Sequence, residues 1–498
     1  KDARNIDINN LAKPFYYRAY FNMGVVGDIF ELLGMPRESV ELLIGIQVAG
    51  REKPKFKPSA KTFKYIPKII LFALKKIIYE KEIEKFLTKQ IKKYESFGSL
   101  NIEKLDARET LQRIDELVKA NEETSYVVII TQLLMGLYNT MLKRQLEKIG
   151  VDIKRIDFEQ VTQKIRDIDP NYHLLILHDK YDALPQHLKH EMRGMSYEDF
   201  SKEPENKEFK EEVEGFLLKF GHLSDSGNDF STLPWRETPE TILKMIMSLK
   251  KAKAAKTDKV DIYALFKSPI RGTFPKFTYR KASSYREYRE RISFVYSYGY
   301  GLFRPYFLQL AKLFKENGFI EKEQDIFYLK LEEIRRISEL GTMPAEYKAN
   351  LKKRKKEITK YKDIVLPGVI YGDSPPVPLT KNKVFSKLKG LPASKGYCEG
   401  KIKVARGIQD FNKIKDGDIL VIPYSDVSWT PLFTKARAVI SESGGMLSHC
   451  SIVAREYNIP AVVSVKGITE VEDETLVAVN GYTGEVSIIE RPKIELRS

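Results

Sequence analysis

The spacing of apolar residues changes abruptly near residue 366, and this change divides the chain into two unlike parts. From about Asn9 to Lys362, apolar residues recur mostly three or four positions apart, which is the period of a buried helix face. After Leu366 the chain consists of short β-type runs separated by glycine and Asn-Gly turns. The length of 498 residues exceeds one ordinary core. The predicted fold class is therefore multidomain, a mostly α-helical N-terminal region followed by a compact α/β domain.

The helical region contains two long amphipathic patterns. The apolar positions of the first are Ile83, Phe86, Leu87, Ile91 and Tyr94. The second runs from Leu111 through Leu142 and is closed by Gly150. The basic tract at 352–356 is typical of the exposed side of a last helix.

The C-terminal region contains five short runs with strand character. These runs are residues 401–405, 418–423, 438–442, 460–465 and 476–480. Prolines at 375, 376 and 378 favour an extended chain without internal hydrogen bonds, which predicts a semi-rigid linker at 366–386.

Composition excludes several classes of protein. The net charge of +16 favours anionic ligands, but no nucleic-acid motif accompanies it, so nucleic acid is not expected as a partner. The only two cysteines, Cys398 and Cys450, are too far apart in sequence to form a CxxC pair, so neither a disulfide framework nor a zinc site is expected. The most apolar stretch, 65–79, is interrupted by one proline and three lysines, so no membrane span is expected.

The chain begins at a lysine without a secretory signal, which predicts a cytoplasmic protein whose upstream sequence is missing.

One histidine lies where a buried strand gives way to a helix. The pattern from 441 to 456 predicts a strand, a tight glycine turn and a helix, with Asn458 as a left-handed stop. His449 then occupies the first helical turn, where unpaired amides and the helix dipole stabilise a negative group such as a phosphoryl. By itself this pattern also fits a histidine that only packs at a helix start. For the phosphoryl-binding reading, the supporting loop residues are Gly444, Gly445, Ser448 and Ser451.

The block ESGGMLSHCSIVAREYNIPAVV, from Glu442 to Val463, resembles the signature of the PEP-utilising enzyme mobile domain. The resemblance implies that 387–490 is a swivelling phosphohistidine domain of β/β/α type, that 491–498 is a tail, and that His449 is the catalytic residue. The segment from Asp418 to Leu432 is also similar to this family. By that similarity, Trp429 and Thr430 would lie beside the phosphorylation loop, although packing and capping would explain them equally well.

The order of the regions indicates which branch of the family is most similar. Pyruvate phosphate dikinase and phosphoenolpyruvate synthase have a large PEP-binding barrel after the mobile domain, and 491–498 is too short to form one. An arrangement with the histidine domain last is similar to that of the rifampin phosphotransferases. That resemblance implies that 1–365 is a helical acceptor region.

The helical region carries weaker similarities to the same group, at 220–239 and 286–329. An acceptor pocket needs cations for the phosphoryl and a carboxylate or imidazole for the hydroxyl proton. The residues that suit these roles are His222, Asp229, Arg289 and Arg291. An ordinary interhelical polar network is the alternative for them. Leu223 and Gly227 replace an arginine and a glutamate common in the group, which argues against a rifamycin acceptor. The run His187-x-x-His190-Glu191 lacks metalloprotease spacing, and no metal site is predicted.

The sequence contains no Walker motif and no glycine-rich, lysine-bearing ATP-grasp segment. The family resemblance implies that an ATP-grasp domain or subunit passes the β-phosphoryl of ATP to His449 and releases phosphate and AMP. ATP and its Mg²⁺ would then bind elsewhere, with no cofactor held tightly by this chain. The leading hypothesis is an ATP-dependent dikinase-type phosphotransferase component that serves a small hydroxylated acceptor. The alternatives are a non-catalytic phosphohistidine signalling or docking module, a fragment of a PEP synthase-like pyruvate, water dikinase, and a scaffold that is never phosphorylated.

Overall fold

The computed structural model describes residues 12–22, 25, 27–28, 79–156, 158, 163–192, 194–203, 207–224, 229–249, 260–266, 272–361, 364, 366, 375–376, 386–425, 429–445 and 448–492. The chain forms two compact units. One comprises 79–251 with 255–351, and the other comprises 1–78, 252–254 and 352–498. Most of the apolar stretch 65–79 and most of the linker 366–386 lie outside the described residues. The domain boundaries given above therefore stay predictions.

The first described element is a hairpin, where the sequence pattern predicted helix. Strand β1 (Ala12–Phe15) pairs antiparallel with β2 (Arg18–Phe21). Tyr16 and Tyr17 form the turn with φ of +49° and +64°, and positive φ at both central residues is the geometry of a tight hairpin turn. The expectation of helix from Asn9 onward is wrong for this stretch, because its aromatic residues favour strand pairing over helix.

Helices dominate the described residues from Tyr79 to Tyr361. In order, they are α1 (Tyr79–Gly98), α2 (Ala107–Glu147), α3 (Gln163–Ile168), α4 (Pro170–Ala183), α5 (Gln186–Met192), α6 (Tyr197–Lys202), α7 (Lys207–Phe220), α8 (Pro239–Ser248), α9 (Ile262–Leu265), α10 (Thr273–Gly301), α11 (Phe303–Glu316), α12 (Leu331–Leu340) and α13 (Ala345–Tyr361). Both long patterns form helices, α1 and α2, but the expected buried faces are only partly right. Ile91 of α1 and the apolar positions Leu133 and Leu137 of α2 are exposed. The second pattern forms one continuous helix of 41 residues, which starts at a capping box between Asp106 and Glu109.

The core of the helical unit lies where α1, α2 and α10 pack together. The ring of Tyr138 on α2 stacks on Tyr285 of α10 with centroids 5.5 Å apart. The Tyr94 hydroxyl of α1 lies 2.9 Å from that of Thr124 on α2. A Cβ added to Gly299 would lie 2.2 Å from the Tyr94 ring, so this close approach requires glycine on α10. The three helices are therefore fixed by contacts that tolerate little change in side-chain volume.

Among the described residues, one helix is long and apolar enough to cross a membrane by length and composition alone. This helix is α2, and 44% of the apolar window is buried inside the protein. Its buried side chains, among them Ile114, Leu117 and Leu142, belong to the helical core. Helices at the centre of a protein core pass the same length and composition test.

The N-terminal hairpin packs against the end of α13. The Arg18 guanidinium donates to the carbonyl oxygen of Ile364 at 2.7 Å and to that of Tyr361 at 3.3 Å. The rings of Tyr16 and Tyr361 meet edge to face, 4.9 Å between centroids, and the Tyr17 hydroxyl donates to the carboxylate of Glu357. Carbonyl groups at the end of a helix lack partners within the helix, and here the Tyr361 carbonyl accepts from Arg18 and, at 3.4 Å, from the Ile364 amide.

The C-terminal domain is a mixed sheet with short helices. Its elements are β3 (Lys387–Lys389), β4 (Leu391–Ser394), β5 (Tyr397–Val404), β6 (Ile419–Ile422), α14 (Thr430–Phe433), β7 (Ala438–Ser441), α15 (His449–Glu456), β8 (Ala461–Val463), β9 (Leu476–Asn480) and β10 (Glu485–Glu490). The five predicted runs correspond to β5 through β9, which confirms the predicted strands. The predicted runs did not include the separate strands β3, β4 and β10.

The eight strands lie in the order β3-β10-β9-β5-β6-β7-β8-β4. Strands β5 to β8 are parallel to one another, and the remaining pairs are antiparallel. Gly390 alone separates β3 from β4, although they occupy opposite ends of this order, so the sheet curls back on itself at this residue. A Cβ at Gly390 would lie 2.4 Å from the Val463 carbonyl oxygen, so a side chain does not fit there.

Candidate functional site

Helix α15 begins at His449, as the sequence pattern predicted. Ser448 precedes it with extended backbone (φ −68°, ψ 159°), and its hydroxyl accepts a hydrogen bond from the Ser451 amide. This is an N-cap, which satisfies one of the unpaired amides of the first turn. Asn458 ends the segment with φ of +51°, which confirms the predicted left-handed stop. His449 therefore lies at the positive end of an eight-residue helix.

The glycine turn before this helix is fixed by hydroxyl groups. Gly444 has φ of +114°, and a Cβ there would lie 2.9 Å from the Ser448 hydroxyl oxygen. Its carbonyl accepts a hydrogen bond from the Ser464 hydroxyl. The carbonyl of Gly445 accepts a 2.7 Å bond from the Ser451 hydroxyl and a 3.0 Å bond from the Ser448 amide. Ser448 and Ser451, which the sequence analysis gave as supports for a bound phosphoryl group, thus also shape the turn.

Both nitrogens of the His449 ring lie close to a hydroxyl group. The Ser425 Oγ is 2.9 Å from Nδ1, and the Thr430 Oγ1 is 3.3 Å from Nε2. Thr430 is the first residue of α14 and is buried, while Ser425 follows the end of β6. The structure therefore brings Thr430 and His449 together as the resemblance implied, and it adds Ser425, which the sequence analysis missed.

A topological signal could have found Ser425. Strands β6 and β7 are parallel neighbours, and the carboxyl ends of parallel strands meet at one edge of a sheet, where functional loops gather. Ser425 follows β6, and the loop that leads to His449 follows β7. The pairing of the two strands was needed to apply this rule, and the sequence pattern alone did not supply it.

Residues around the loop anchor it to the rest of the domain. The Trp429 side chain is fully buried, and its ring lies 5.4 Å from that of Tyr424. The carboxylate of Glu442 accepts bonds from the Gly467 amide at 3.2 Å and from the Thr469 hydroxyl. Arg455 of α15 donates to the Ala393 carbonyl of β4 at 2.9 Å. These contacts fix the segment before α14, the end of β7 and the last turn of α15.

Cys450 follows His449 directly but faces the interior. Only 1% of its surface is exposed, and burial raises the pKa of its thiol to about 12. A thiol with this pKa is almost entirely protonated at neutral pH and is a poor nucleophile. Of these two side chains at the start of α15, the imidazole is therefore better suited than the thiol to act as a nucleophile.

The four residues proposed for acceptor binding have different partners. The Arg291 guanidinium binds the Glu84 carboxylate at 2.6 and 2.8 Å, and this pairing is the main reason that the pKa of Glu84 falls to about 2. Arg289 donates to its neighbour Glu290 at 3.0 Å. Asp229 is exposed and accepts a bond from the Ser231 amide at 2.9 Å, which closes a local turn.

His222 differs from the other three because it is buried without a hydrogen bond at either ring nitrogen. Its ring meets those of Phe294 and Tyr298 edge on, 5.3 and 5.1 Å between centroids. Burial, and to a smaller extent the charge of Arg236, lower its pKa to about 3. The ring is therefore neutral at physiological pH and lies in a mainly aromatic environment.

Arg304, which lies in the stretch 286–329 that is similar to the family, has a structural role. The buried Arg304 of α11 binds the Glu237 carboxylate at 2.7 and 2.8 Å, and it donates to the carbonyls of Phe230 and Ser231 at 3.1 and 3.0 Å. This guanidinium ties the loop at 230–237 to α11. For Arg304 the polar-network interpretation is therefore the one that the contacts support.

Comparison with protein families supports the interpretation of the C-terminal domain. Residues 414–484 match the family described as PEP-utilising enzyme, mobile domain. The C-terminal domain is a PEP-utilising enzyme mobile domain. Residues 125–263 match the family described as the rifampicin phosphotransferase fourth domain. Two separate parts of the chain thus match domains of the PEP-utilising enzymes, and neither matched family is an ATP-grasp domain.

Curated relatives agree with both family matches. A rifampicin phosphotransferase from Bacillus cereus is 28% identical over 302 residues, which cover 56% of this chain and 34% of the relative. Another from Bacillus subtilis is 28% identical over 339 residues, 62% of this chain and 38% of the relative. The chain thus spans little more than a third of the length of these relatives. Among solved structures, the holo form of Thermococcus kodakaraensis aconitase X is 24% identical and covers 21% of this chain and 98% of its own, with a TM-score of 0.17.

Proposed function

We propose that this chain carries a phosphoryl group on His449 as one component of a dikinase-type phosphotransferase. In the proposal, an ATP-grasp site outside the described residues transfers the β-phosphoryl of ATP to His449, and phosphate and AMP are released. The mobile domain then delivers the phosphoryl to a small hydroxylated acceptor bound in the helical unit. The proposed reaction would take place in the cytoplasm.

One observation carries the carrier role. His449 is the first residue of α15, and its ring nitrogens lie 2.9 and 3.3 Å from two hydroxyl groups. A phosphoryl bound to either nitrogen would lie near the unpaired amides of the helix start, which favour negative charge. Hydroxyl groups at the ring would orient the imidazole for attack and then serve as donors to phosphoryl oxygens. The two family matches support the same chemistry.

ATP and Mg²⁺ are not assigned to the described residues. No group of three or more histidine, cysteine, aspartate or glutamate side chains in the described part of the chain could hold a metal ion. Within the proposal, Mg²⁺ enters with ATP at the donor site, and the described residues supply the carrier.

Within the helical unit, His222 is the residue that best fits a place near an acceptor. Its unpaired ring nitrogens could each form one hydrogen bond with a hydroxylated ligand, and buried polar groups without partners are rare in folded proteins. A pKa of about 3 makes it a weak general base at neutral pH, so it would orient the acceptor rather than deprotonate it. Asp229, Arg289 and Arg291 would have to exchange their present partners to take part.

The ion pairs that the arginines of the helical unit already form favour a second candidate function. Arg291 and Arg304 are already paired with carboxylates inside the helical unit, which leaves them less suited to binding a phosphoryl group. A non-catalytic phosphohistidine module, in which the helical unit only binds a partner, would need no acceptor site. Phosphorylation of His449 is common to both functions, and transfer to a small molecule separates them.

Labelling with ATP tests the carrier role. The full chain is incubated in a lysate of its source with ATP labelled at the β or the γ position, beside His449→Ala and the control His190→Ala, which removes an exposed histidine of α5. Acid-labile, alkali-stable label from β-labelled ATP on wild type and His190→Ala, but not on His449→Ala, is expected. Label only from γ-labelled ATP would contradict a dikinase donor, and equal label on His449→Ala would contradict the carrier role.

A further inference from the structure

One side of α2 exposes apolar side chains in the middle of the helix. Tyr126, Ile129, Leu133 and Leu137 are each between 45% and 57% exposed. Their spacing of three or four positions places them in one line along the helix, away from its buried residues. Single exposed apolar residues are ordinary on a protein surface, but a contiguous line of them is typical of a contact surface. These four residues are called the apolar stripe below.

Charges of opposite sign flank the apolar stripe. Glu122 lies one turn before it and Arg144 two turns after it, and both side chains are exposed. Along the chain, Glu122 and Arg144 are equally far from Leu133, eleven positions before and after it. Ile129 and Leu137 are also equally far from Leu133, four positions before and after it. About Leu133, this side of α2 is therefore symmetric in its apolar residues and opposite in its charges.

We infer that the apolar stripe is the contact surface of a symmetric dimer, in which α2 packs antiparallel against α2 of a second copy of this chain. A two-fold axis beside Leu133 brings each residue next to the one that is equally far from Leu133 on the other side. Ile129 then meets Leu137 of the partner subunit, and Glu122 meets Arg144 of the partner subunit. Because of the symmetry, each contact is made twice. The inference goes beyond the carrier function of His449 and does not depend on it.

The charges select the antiparallel orientation. In a parallel pair, Glu122 would face Glu122 of the partner subunit, and Arg144 would face Arg144 of the partner subunit. Like charges across an interface oppose association, whereas the antiparallel pair places opposite charges together. Glu123 does not enter this pattern, because its carboxylate lies 3.6 Å from the ammonium group of Lys93 on α1.

A second pair of charges extends the pattern towards the ends of α2. Lys119 and Glu147 each lie fourteen positions from Leu133, on opposite sides of it, and both are exposed. The Glu147 carboxylate also lies 3.8 Å from the ammonium group of Lys143 on its own helix. An exposed pair of this kind contributes little energy, so Glu147 can exchange or share this partner on association.

A lipid surface fits this side of α2 less well than a second copy does. The apolar stripe is about 16 Å long at a helical rise of 1.5 Å per residue, whereas the hydrocarbon core of a bilayer is about 30 Å thick. The other side of α2 is packed into the core of the helical unit. Anionic lipid headgroups would also repel the carboxylate of Glu122 next to the stripe.

Sedimentation velocity of the full chain over a range of concentrations tests the dimer. A single helix pair is small among specific interfaces, so monomer and dimer should exchange at micromolar concentrations. Leu133→Asp places two carboxylates at the two-fold axis and should raise the dissociation constant at least about thirty-fold. Leu133 is exposed, so the core is left intact. The control is Leu218→Asp, which changes an exposed leucine of α7 and should leave the dissociation constant at the wild-type value.

A charge swap tests the orientation. Glu122→Arg or Arg144→Glu alone places like charges opposite each other and should raise the dissociation constant about ten-fold. The double variant restores opposite charges and should return the dissociation constant close to that of wild type. Glu122 and Arg144 are about 33 Å apart along their own helix, so this recovery requires contact between two chains.

Three results would overturn the inference. The first is a chain that stays monomeric at the highest soluble concentration. The second is a dimer that Leu133→Asp leaves intact or that the double charge variant fails to restore. The third is sedimentation of a monomeric wild type, but not of Leu133→Asp, with vesicles of phosphatidylcholine and phosphatidylserine, which would assign the apolar stripe to lipid instead.

Discussion

Arg304 and Glu237 form a paired, two-bond contact although 67 positions separate them in the sequence. The guanidinium side chain is 4% exposed, and the carboxylate is about a third exposed. Two backbone carbonyls also accept from Arg304, so most of its donors are satisfied inside the protein. Removal of the cation would leave these acceptors without their charged donor.

Arg304→Ala is therefore expected to lower the free energy of unfolding by roughly 3 kcal/mol, the size typical when one partner of a buried pair is removed. Chemical denaturation of the full chain, followed by the signal of the helical unit, measures this change. Arg335→Ala is the control, because Arg335 and Asp115 form a pair that is 39% and 48% exposed. It should cost less than about 1 kcal/mol. Equal losses for the two variants would contradict the structural role of Arg304.

Gly444→Ala should impair phosphorylation of His449 by moving the start of α15. The substitution places a Cβ 2.9 Å from the Ser448 hydroxyl oxygen and strains a backbone with φ of +114°. Strain of this kind costs about 1–3 kcal/mol, so the initial labelling rate should fall by about five-fold to a hundred-fold. Gly417→Ala shares the strain, at φ of +89°, but a Cβ there meets nothing within 4 Å. Its labelling rate should match wild type, and a ten-fold loss there too would show that strain alone explains the effect.

Acid should destabilise the helical unit through His222. Its pKa is about 3 in the folded chain and 6.5 in the unfolded chain, so between these values the unfolded state binds more protons. The free energy of unfolding contributed by this group is therefore complete above pH 6.5 and declines as the pH falls toward 3. The loss from about pH 7 to about pH 5 is roughly 2 kcal/mol.

Urea unfolding at these two pH values checks the contribution of His222. His222→Phe, which cannot titrate, should remove roughly 2 kcal/mol of that pH dependence even if its stability at neutral pH differs from wild type. A further part in the same direction remains with His173, because burial also lowers its pKa. The exposed His190→Gln should leave the dependence unchanged. The pKa of Glu84 is lowered from 4.5 to about 2, so its contribution is lost mainly below the tested range. A wild-type slope in His222→Phe would refute the assignment.

Arg18→Ala should loosen the end of α13. The substitution removes the donors to the carbonyls of Tyr361 and Ile364, so the last turn should open more often. Faster hydrogen exchange of the amides at 358–361 is the expected result, with exchange in α12 unchanged. Arg18→Lys retains the charge but not the planar guanidinium group that donates to both carbonyls. Its hydrogen-exchange rate at 358–361 should lie between those of wild type and Arg18→Ala. Unchanged exchange at 358–361 in both variants would show that the hairpin does not stabilise this helix end.

Much of the C-terminal domain could be predicted from neighbouring residues. The five predicted strands, the helix start at His449 and the left-handed Asn458 all depend on local preferences of a few adjacent residues, and all are present. The hairpin at 12–21 was not predicted, because two tyrosines occupy turn positions that usually require glycine or asparagine. The strand β10 was missed as well, although Val486, Ile488 and Ile489 give it strand character of its own.

By itself, the sequence determined which histidine lies at a helix start, where the strands of the mobile domain run, and that helices precede them. Only the tertiary structure placed Ser425 at Nδ1 and Thr430 at Nε2 of His449, and only it showed that Arg291 and Arg304 are already paired. The physical reason is the range of the forces involved. Helix caps, glycine turns and apolar periodicity act over a few residues, whereas these side-chain contacts depend on strand order and helix packing, which bring distant residues within 3.5 Å of each other.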